Sequence, residues 1–263
     1  MRTQMGIKIL IVDAYGWLHA GKAVNGVVEL LSEDLPCPPL YAFIERRMAA
    51  LSLGGKFQII LIFDGPSSIQ KDATESAREQ NRVQLQQLAQ KLREDGELEK
   101  STKAFRSSVD ITPNVAKKLI DHLNSLSAAR RKEIGYKRSI VSINEADPLL
   151  AYLNKTTPNS CVVSRDYDVV PWGATFCCFK VDYISGMVEL FIRDVFDITA
   201  VVSKRELIVT QHQLIDICVL AGCDYVQNLR NEGFKKACNN IRKYGESVCI
   251  CLCECMYIVN ELH

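Results

Sequence analysis

The 263-residue sequence contains no apolar run near the ~18 residues that a membrane-spanning helix requires. Its opening stretch, MRTQMGIKIL, carries one Arg and no small-residue cleavage site, so no secretory signal is expected. There is no internal repeat and no low-complexity linker. Charge imbalance is missing as well: 32 basic residues against 31 acidic ones leave a net charge of +1. A DNA-binding module is usually more basic, so a nucleic-acid partner has to be argued from local charge. With 48% apolar residues the chain is globular, too hydrophobic for disorder and long enough for one large domain or two small ones.

Eleven cysteines are present. Without a secretory signal they are expected to be reduced thiols in an intracellular soluble protein. Cys161, Cys177, Cys178 and Cys218 lie in apolar runs, where a free Cys behaves as a small core hydrophobe. Cys249, Cys251, Cys253 and Cys255 alternate, which does not fit the C-x₂₋₄-C knuckles of zinc sites. Residues 249–263 read as an apolar terminal element, or as a tail outside the main domain.

Short apolar runs bounded by turn residues predict strands at Ile7–Val12, Phe57–Phe63, Ser139–Ile143, Cys161–Ser164 and Phe176–Val181. Helical periodicity predicts helices at Leu40–Leu53, Lys71–Arg93, Pro113–Leu126, Pro148–Asn154 and Gln211–Leu220. Alternation of the two indicates an α/β fold around a mostly parallel central sheet flanked by helices. Lys71–Arg93 has only Val83, Leu85, Leu88 and Leu92 as a stripe, so it is expected to bridge solvent or face a ligand. The basic stretch Ser127–Lys137 reads as a surface loop.

Acidic residues recur where these strands end. Asp13 follows the first run, Asp64 the second, Glu145 and Asp147 the third, and Asp166 and Asp168 the fourth. Asp224 follows the apolar helix 214–220. A lone strand-end Asp is most simply a helix cap or a turn. Six acids at four strand ends form a different pattern, because open parallel sheets build their sites outside the carboxyl ends of the strands. Converging carboxylates raise one another's pKa unless cations neutralise them. Oxygen donors without His or Cys favour a hard ion such as Mg²⁺ or Mn²⁺. Two such ions stabilise the attacking and leaving oxygens of a phosphodiester displacement. Lys71, Arg78 and Arg82, spaced by seven and four, put positive charge on one helix face soon after Asp64. That face is either a solvated one or one that meets phosphate. Near the end, a turn holding Gly233 precedes a helix with Lys235, Lys236, Arg242 and Lys243, suited to gripping successive phosphates or to an ordinary helix hairpin.

The ordered series resembles the flap-endonuclease/5′-exonuclease (XPG/Rad2-type) nucleases over about Ile7–Tyr244, on the branch of the eukaryotic mismatch-repair exonuclease. The resemblance is carried by Val-Asp-Ala-Tyr-Gly-Trp-Leu-His at 12–19, Phe-Asp-Gly at 63–65 and Leu-Arg-Glu-Asp-Gly at 92–96 leading to Asp-Ile-Thr. Glu-Ala-Asp at 145–147, followed by Leu-Ala-Tyr-Leu-Asn-Lys, completes it. It implies a nuclease core over 1–209 with a helical arch at about 71–110, and a helix–two-turn–helix over 210–248. It implies two Mg²⁺ (or Mn²⁺) ions on Asp13, Asp64, Glu145, Asp147, Asp166, Asp168 and Asp224. Lys71 and Arg78 would stabilise the scissile phosphate, Tyr15 and His19 would stack on terminal bases, and Arg82, Gly233, Lys235 and Lys236 would contact backbone, with K⁺ at the last turn. The implied partner is DNA with a 5′ end, nick, gap or flap, cut by a monomeric nuclear repair enzyme.

The sequence departs from the family pattern at several points. Only twelve residues precede Asp13, so weak activity from poorly positioned DNA is expected; Arg165 replaces an acidic residue; and Asn231-Glu232-Gly233 replaces a turn with two glycines. Three rival readings compete. A PIN-type ribonuclease uses fewer strand-end acids and would cut RNA. A haloacid-dehalogenase phosphatase wants Asp-x-Asp, whereas Ala14-Tyr15 follows Asp13. An inactive relative would bind DNA without cutting it.

Overall fold

The computed structural model describes residues 6–66, 72–183, 188–192, 199–202, 205–208, 210–223, 225–226 and 233–244. The first strand, β1 (Ile9–Asp13), is followed by three helices, α1 (Ala14–Gly21), α2 (Val27–Ser32) and α3 (Pro38–Ser52). Then come β2 (Gln58–Phe63), α4 (Asp72–Glu94), α5 (Leu98–Ser108), α6 (Pro113–Ser125) and α7 (Ala128–Glu133). The run continues with β3 (Tyr136–Val141), α8 (Ala146–Thr156), β4 (Ser160–Val163), β5 (Phe176–Val181) and β6 (Val188–Ile192). Last are β7 (Thr199–Val202), β8 (Arg205–Ile208), α9 (Gln211–Ala221) and α10 (Phe234–Tyr244).

Six strands form one sheet in the order β3-β2-β1-β4-β5-β6. β1 pairs in parallel with β2 on one side and with β4 on the other, and the β2–β3 and β4–β5 pairs are parallel too. The six residues between β5 and β6 are too few for a parallel crossover, so the sheet is mixed but mostly parallel. The chain builds outward from β1 to β3, then returns to the far side of β1 to lay down β4. That reversal is the switch point at which such sheets form crevices.

Strands covered on both faces need continuous rather than alternating hydrophobicity. Gln58–Phe63 meets that demand, with its last five residues buried. Leu10, Val12, Ile59, Leu61 and Phe63 face a core completed by Trp17 and Leu18 of α1, Leu40, Ile44 and Met48 of α3, and Leu119 and Leu123 of α6. On the other side α8 packs along β1, β2 and β4, with Leu150 and Ala151 buried.

The expected arch is a helical hairpin. α4 and α5 pack on small side chains, Ala89 and Ala104 being buried and the Ser101 hydroxyl donating to the Ala89 carbonyl at 2.7 Å. Gly96 turns the chain between them at φ +79°, where a side chain would be strained. The expected surface loop at Ser127–Lys137 is corrected: it holds α7 and the start of β3. Ser127 accepts from the Arg130 amide at 3.2 Å and so starts that helix, and Arg130 pairs with Glu45 at 2.7 Å. The basic residues that suggested a loop occupy the last turn, where the helix dipole favours them.

Contacts divide the chain into a unit of Met1–Leu190 and a unit of Phe191–His263. In the second, β7 and β8 form an antiparallel pair, and α9 opens with a capping box between Thr210 and Gln213. α9 and α10 pack together, burying Leu214, Ile217, Ala237, Cys238 and Ile241. Among the described residues, no helix is long and apolar enough to cross a membrane.

Gly65 fixes how the end of β2 meets the end of β3. Its amide donates to the Asn144 carbonyl at 2.6 Å, and a Cβ there would lie 2.1 Å from the Ser142 carbonyl oxygen. Backbone cannot yield as a flexible side chain can. Gly65→Ala is therefore expected to lower the unfolding free energy in urea by about 1–3 kcal/mol, as overpacking does. An unchanged midpoint would show that the turn relaxes freely.

Candidate metal centre

Asp13 ends β1 and caps α1. Its carboxylate accepts from the Gly16 amide at 3.3 Å and from the Ser164 hydroxyl at 3.1 Å. Burial pushes its pKa up to about 6; the Gly16 bond opposes that rise, and the Asp64 charge adds to it. Asp64, just past β2, accepts from the Ala146 amide at 2.7 Å and so satisfies the first turn of α8. The cap that a bland reading assigns to a strand-end Asp is present, but in Asp64 it reaches across 82 residues of sequence.

Glu145 and Asp147 flank that same helix start. Glu145 is the N-cap residue without a capping side-chain bond, and its carbonyl accepts from the Ser142 hydroxyl at 2.8 Å. Asp147 stands in the first turn. Beyond β4, the Asp166 amide donates to Ser164 Oγ at 3.0 Å, and the Asp166 carboxylate accepts from the Asp168 amide at 3.1 Å. This loop turns both acids toward Asp147. Carboxylate oxygens of Asp147, Asp166 and Asp168 lie within 4.8 Å of one another.

Asp147 responds most strongly to the crowding. Burial first, then the charges of Asp13, Asp166, Asp64 and Asp168, push its pKa up to about 8. Five carboxylates from the ends of four sheet strands thus share one field. The donors are all oxygen, and a divalent cation would relieve their repulsion, so the residues fit a hard-metal site.

Tyr15 and His19 both lie on α1, and Tyr15 stands in the field of Asp64. Tyr15 meets Phe63 edge-on at 6.2 Å, and burial, then Asp64 and Asp110, push its phenol up to about 12. His19 is held below its ordinary value by burial and then by the Lys22 charge, with Arg78 and Arg82 adding to the effect. The predicted basic face of α4 therefore stands over α1. Arg78 pairs with Glu75 at 2.6 Å, and Arg82 pairs with Glu79 and with Asp110 at 3.2 Å. Lys71 and Asp224 lie outside the described residues. Gly233, Lys235 and Lys236 open α10 in the second unit, where the Gly233 carbonyl accepts from the Lys236 amide at 2.9 Å.

Sequence reasoning missed two residues here. Ser164 ties β1 to β4 by serving Asp13 and the Asp166 amide together. Lys22 is buried, and its ammonium donates to the Val109 carbonyl at 2.8 Å, anchoring the chain where it leaves α5. Ser164 sits two residues before the strand-end acid Asp166, which was a usable signal. Lys22 had none.

The raised carboxylates set a pH dependence. Folded Asp13 and Asp147 titrate above the unfolded value of 3.8, so between about pH 4 and 8 the folded state binds more protons. Without metal, stability is expected to fall as pH rises through that window. Saturating Mg²⁺ should raise Tm more at pH 8 than at pH 5, because it binds the ionised folded form. Thermal melts in EDTA and in Mg²⁺ check this; an equal shift at both pH values would remove the cluster as the binding site.

Residues 138–224 match the XPG I-region family model, a span that begins in β3 and includes α9. Exonuclease 1 of Oryza sativa subsp. japonica is 31% identical over 235 residues, covering 88% of this chain and 26% of that protein. Exonuclease 1 of Xenopus laevis is 32% identical over 241 residues, covering 89% and 30%. The chain thus spans under a third of the length of these relatives. Among solved structures, the catalytic core of Rad2 in complex with DNA substrate superposes with a TM-score of 0.60 at 19% identity, covering 91% of this chain and 63% of that one. At that identity the likeness is one of fold. The chain therefore carries an XPG I-region over residues 138–224, is similar in sequence to the exonuclease 1 relatives, and shares the fold of the Rad2 catalytic core.

Proposed function

We propose that the protein is a structure-specific 5′ nuclease of DNA repair, hydrolysing phosphodiesters from a 5′ end or at a 5′ flap. The observation that carries this is the convergence of Asp13, Asp64, Asp147, Asp166 and Asp168 at the switch point of a parallel sheet. In this reading they hold two Mg²⁺ ions, or Mn²⁺, together with Glu145 and Asp224. Such ions supply charge neutralisation for the attacking and leaving oxygens when bound.

The chain's own residues do the rest. Asp64 couples metal position to the start of α8 through the Ala146 amide, and Ser164 couples Asp13 to the Asp166–Asp168 loop. Arg78, with Lys71, meets negative charge that develops on the scissile phosphate. Tyr15 and His19 offer ring faces to the terminal bases, and Arg82 steadies the base of the arch through Asp110. Gly233, Lys235 and Lys236 contact duplex backbone without reading sequence, with K⁺ at that turn. The names of the relatives, and the DNA bound to Rad2, support a DNA substrate over RNA. A nuclear location and a monomeric state go with the same reading.

Two measurements test it. On 5′- and 3′-labelled duplexes, cleavage should require Mg²⁺, begin from the 5′ side and leave a 5′-phosphate on the remaining strand. Asp168→Ala should cut turnover by at least ~10²-fold while DNA binding persists, since misplacing a reacting centre by about 1 Å costs that much. Arg78→Ala should lower the single-turnover rate by ~10²–10³-fold with little change in affinity. Activity that survives EDTA, runs only from 3′ ends or prefers RNA would reject the proposal.

A further inference from the structure

β3 is the outermost strand on one side of the six-stranded sheet and pairs with β2 alone. The Ser142 amide donates to the Phe63 carbonyl at 2.8 Å, so in this stretch even-numbered residues turn their backbone groups toward β2. By the alternation of a strand, Ser139 and Val141 turn theirs outward, and no described strand pairs with them. The strand is held firmly behind that edge. The Tyr136 hydroxyl donates to Asn124 Oδ1 at 3.0 Å and lies 3.0 Å from Ser139 Oγ, which fastens β3 to α6.

Charge and apolar surface separate along the edge. At its start, the 52–57 loop and the 132–135 turn meet so closely that a Cβ at Gly55 would lie 2.3 Å from the Lys132 carbonyl oxygen. Lys56, Lys132, Lys137 and Arg138 are exposed at this end, and among the described residues no carboxylate pairs with any of them. Glu133, the acid within this basic stretch, is taken by Arg130 at 2.9 Å. At the other end Val141 is 56% exposed and Ile143 is 89% exposed. Charge and bulges guard many edge strands against pairing. A bulge does sit at Lys137, before the outward-facing residues. Guarding does not account for two bare apolar side chains at the far end.

We propose that the β3 edge docks an extended segment of a protein partner, which adds a strand to the sheet with its apolar residues on Val141 and Ile143 and its acidic ones on Lys137, Arg138, Lys132 and Lys56. Lys137 to Ile143 spans about 20 Å at ~3.3 Å per residue, the length of one ordinary strand. In strand addition the main chain supplies affinity and the side chains select the partner. The antiparallel ladder is the slightly more stable one, so the segment reads apolar first and acidic after. The outward carbonyls of Ser139 and Val141 need N–H donors. A peptide backbone offers these at the matching repeat, and a phosphate backbone lacks them. Phosphates would also spread negative charge along the whole edge, whereas the basic side chains occupy its first part and the chain beyond Ile143 runs on to Glu145 and Asp147. A second copy of this chain would bring the same lysines to the edge, so charge complementarity selects a different, acidic partner. The inference does not depend on what the carboxylates do.

The test uses the full chain and a fluorescently labelled peptide, Val-Thr-Val-Thr-Glu-Glu-Glu, in anisotropy titrations at low salt. Wild type should bind it saturably, and added salt should weaken the complex. Lys137→Glu combined with Arg138→Glu should weaken binding by about tenfold, the scale of two exposed ion pairs turned into repulsions. That double variant should instead bind Val-Thr-Val-Thr-Lys-Lys-Lys, which wild type should not, and a gain of binding cannot come from unfolding. Val141→Pro removes one outward amide while Ile140 and Ser142 keep their bonds to β2, and it should cost a similar factor, with thermal melts confirming that the variant folds. An N-methylated form of the acidic peptide should not bind. If wild type fails to bind the acidic peptide, or binds the N-methylated form equally well, the docked strand is overturned. If a single-stranded oligonucleotide binds more tightly than the peptide and loses that binding in the double variant, the edge is a nucleic-acid surface and the protein partner is wrong.

Discussion

Mutual repulsion of carboxylates is the constraint around which the first unit is organised. Burial and then the charges of four other acids raise Asp147 to about 8, and burial with the Asp64 charge raises Asp13 to about 6. A fold that brings such charges together loses stability unless something else holds the chain in place. Here that is the apolar sheet, whose central strands are buried on both faces. The core confers the rigidity, and the strand ends carry the strain.

Hydrogen bonds decide where the charges point. Asp64 accepts from the first turn of α8, Asp13 from Ser164 past β4, and Asp166 from the Asp168 amide. None of these bonds neutralises a carboxylate, since all donors are amides or hydroxyls. They orient the oxygens while leaving the negative charge in place for a cation. An arginine in the same positions would stabilise the apo fold better and would compete with metal.

The strands and their terminal acids were legible because a continuous apolar run ending in Asp obeys local rules. All five predicted strands appear within a few residues of their expected bounds, as do the five predicted helices. Shorter elements were not legible. α1 follows the strand-end Asp13 without a break, α5 is highly charged, and α7 looked like a basic loop. The gathering of Asp13, Asp64, Asp147, Asp166 and Asp168 followed from sheet topology, which strand order alone suggested. Ser164 and Lys22 escaped because their partners are remote: Lys22 reaches a carbonyl 87 residues away and Ser164 a carboxylate 151 residues away. No periodicity encodes such pairings.

Among the described residues, the α4–α5 hairpin is tied down near its base. Arg82 holds Asp110 there, and Lys22 holds the Val109 carbonyl from beneath, while residues 93–100 around Gly96 are exposed. Mechanically it is a cantilever, fixed at the root and unsupported at the tip. Load applied anywhere along a cantilever produces its largest bending moment at the root. In this protein the root is where Arg78, Arg82 and His19 share one electrostatic neighbourhood. A small deflection of the tip is therefore felt as torque at this root, borne by the buried Lys22 ammonium on the Val109 carbonyl and by the Arg82–Asp110 pair.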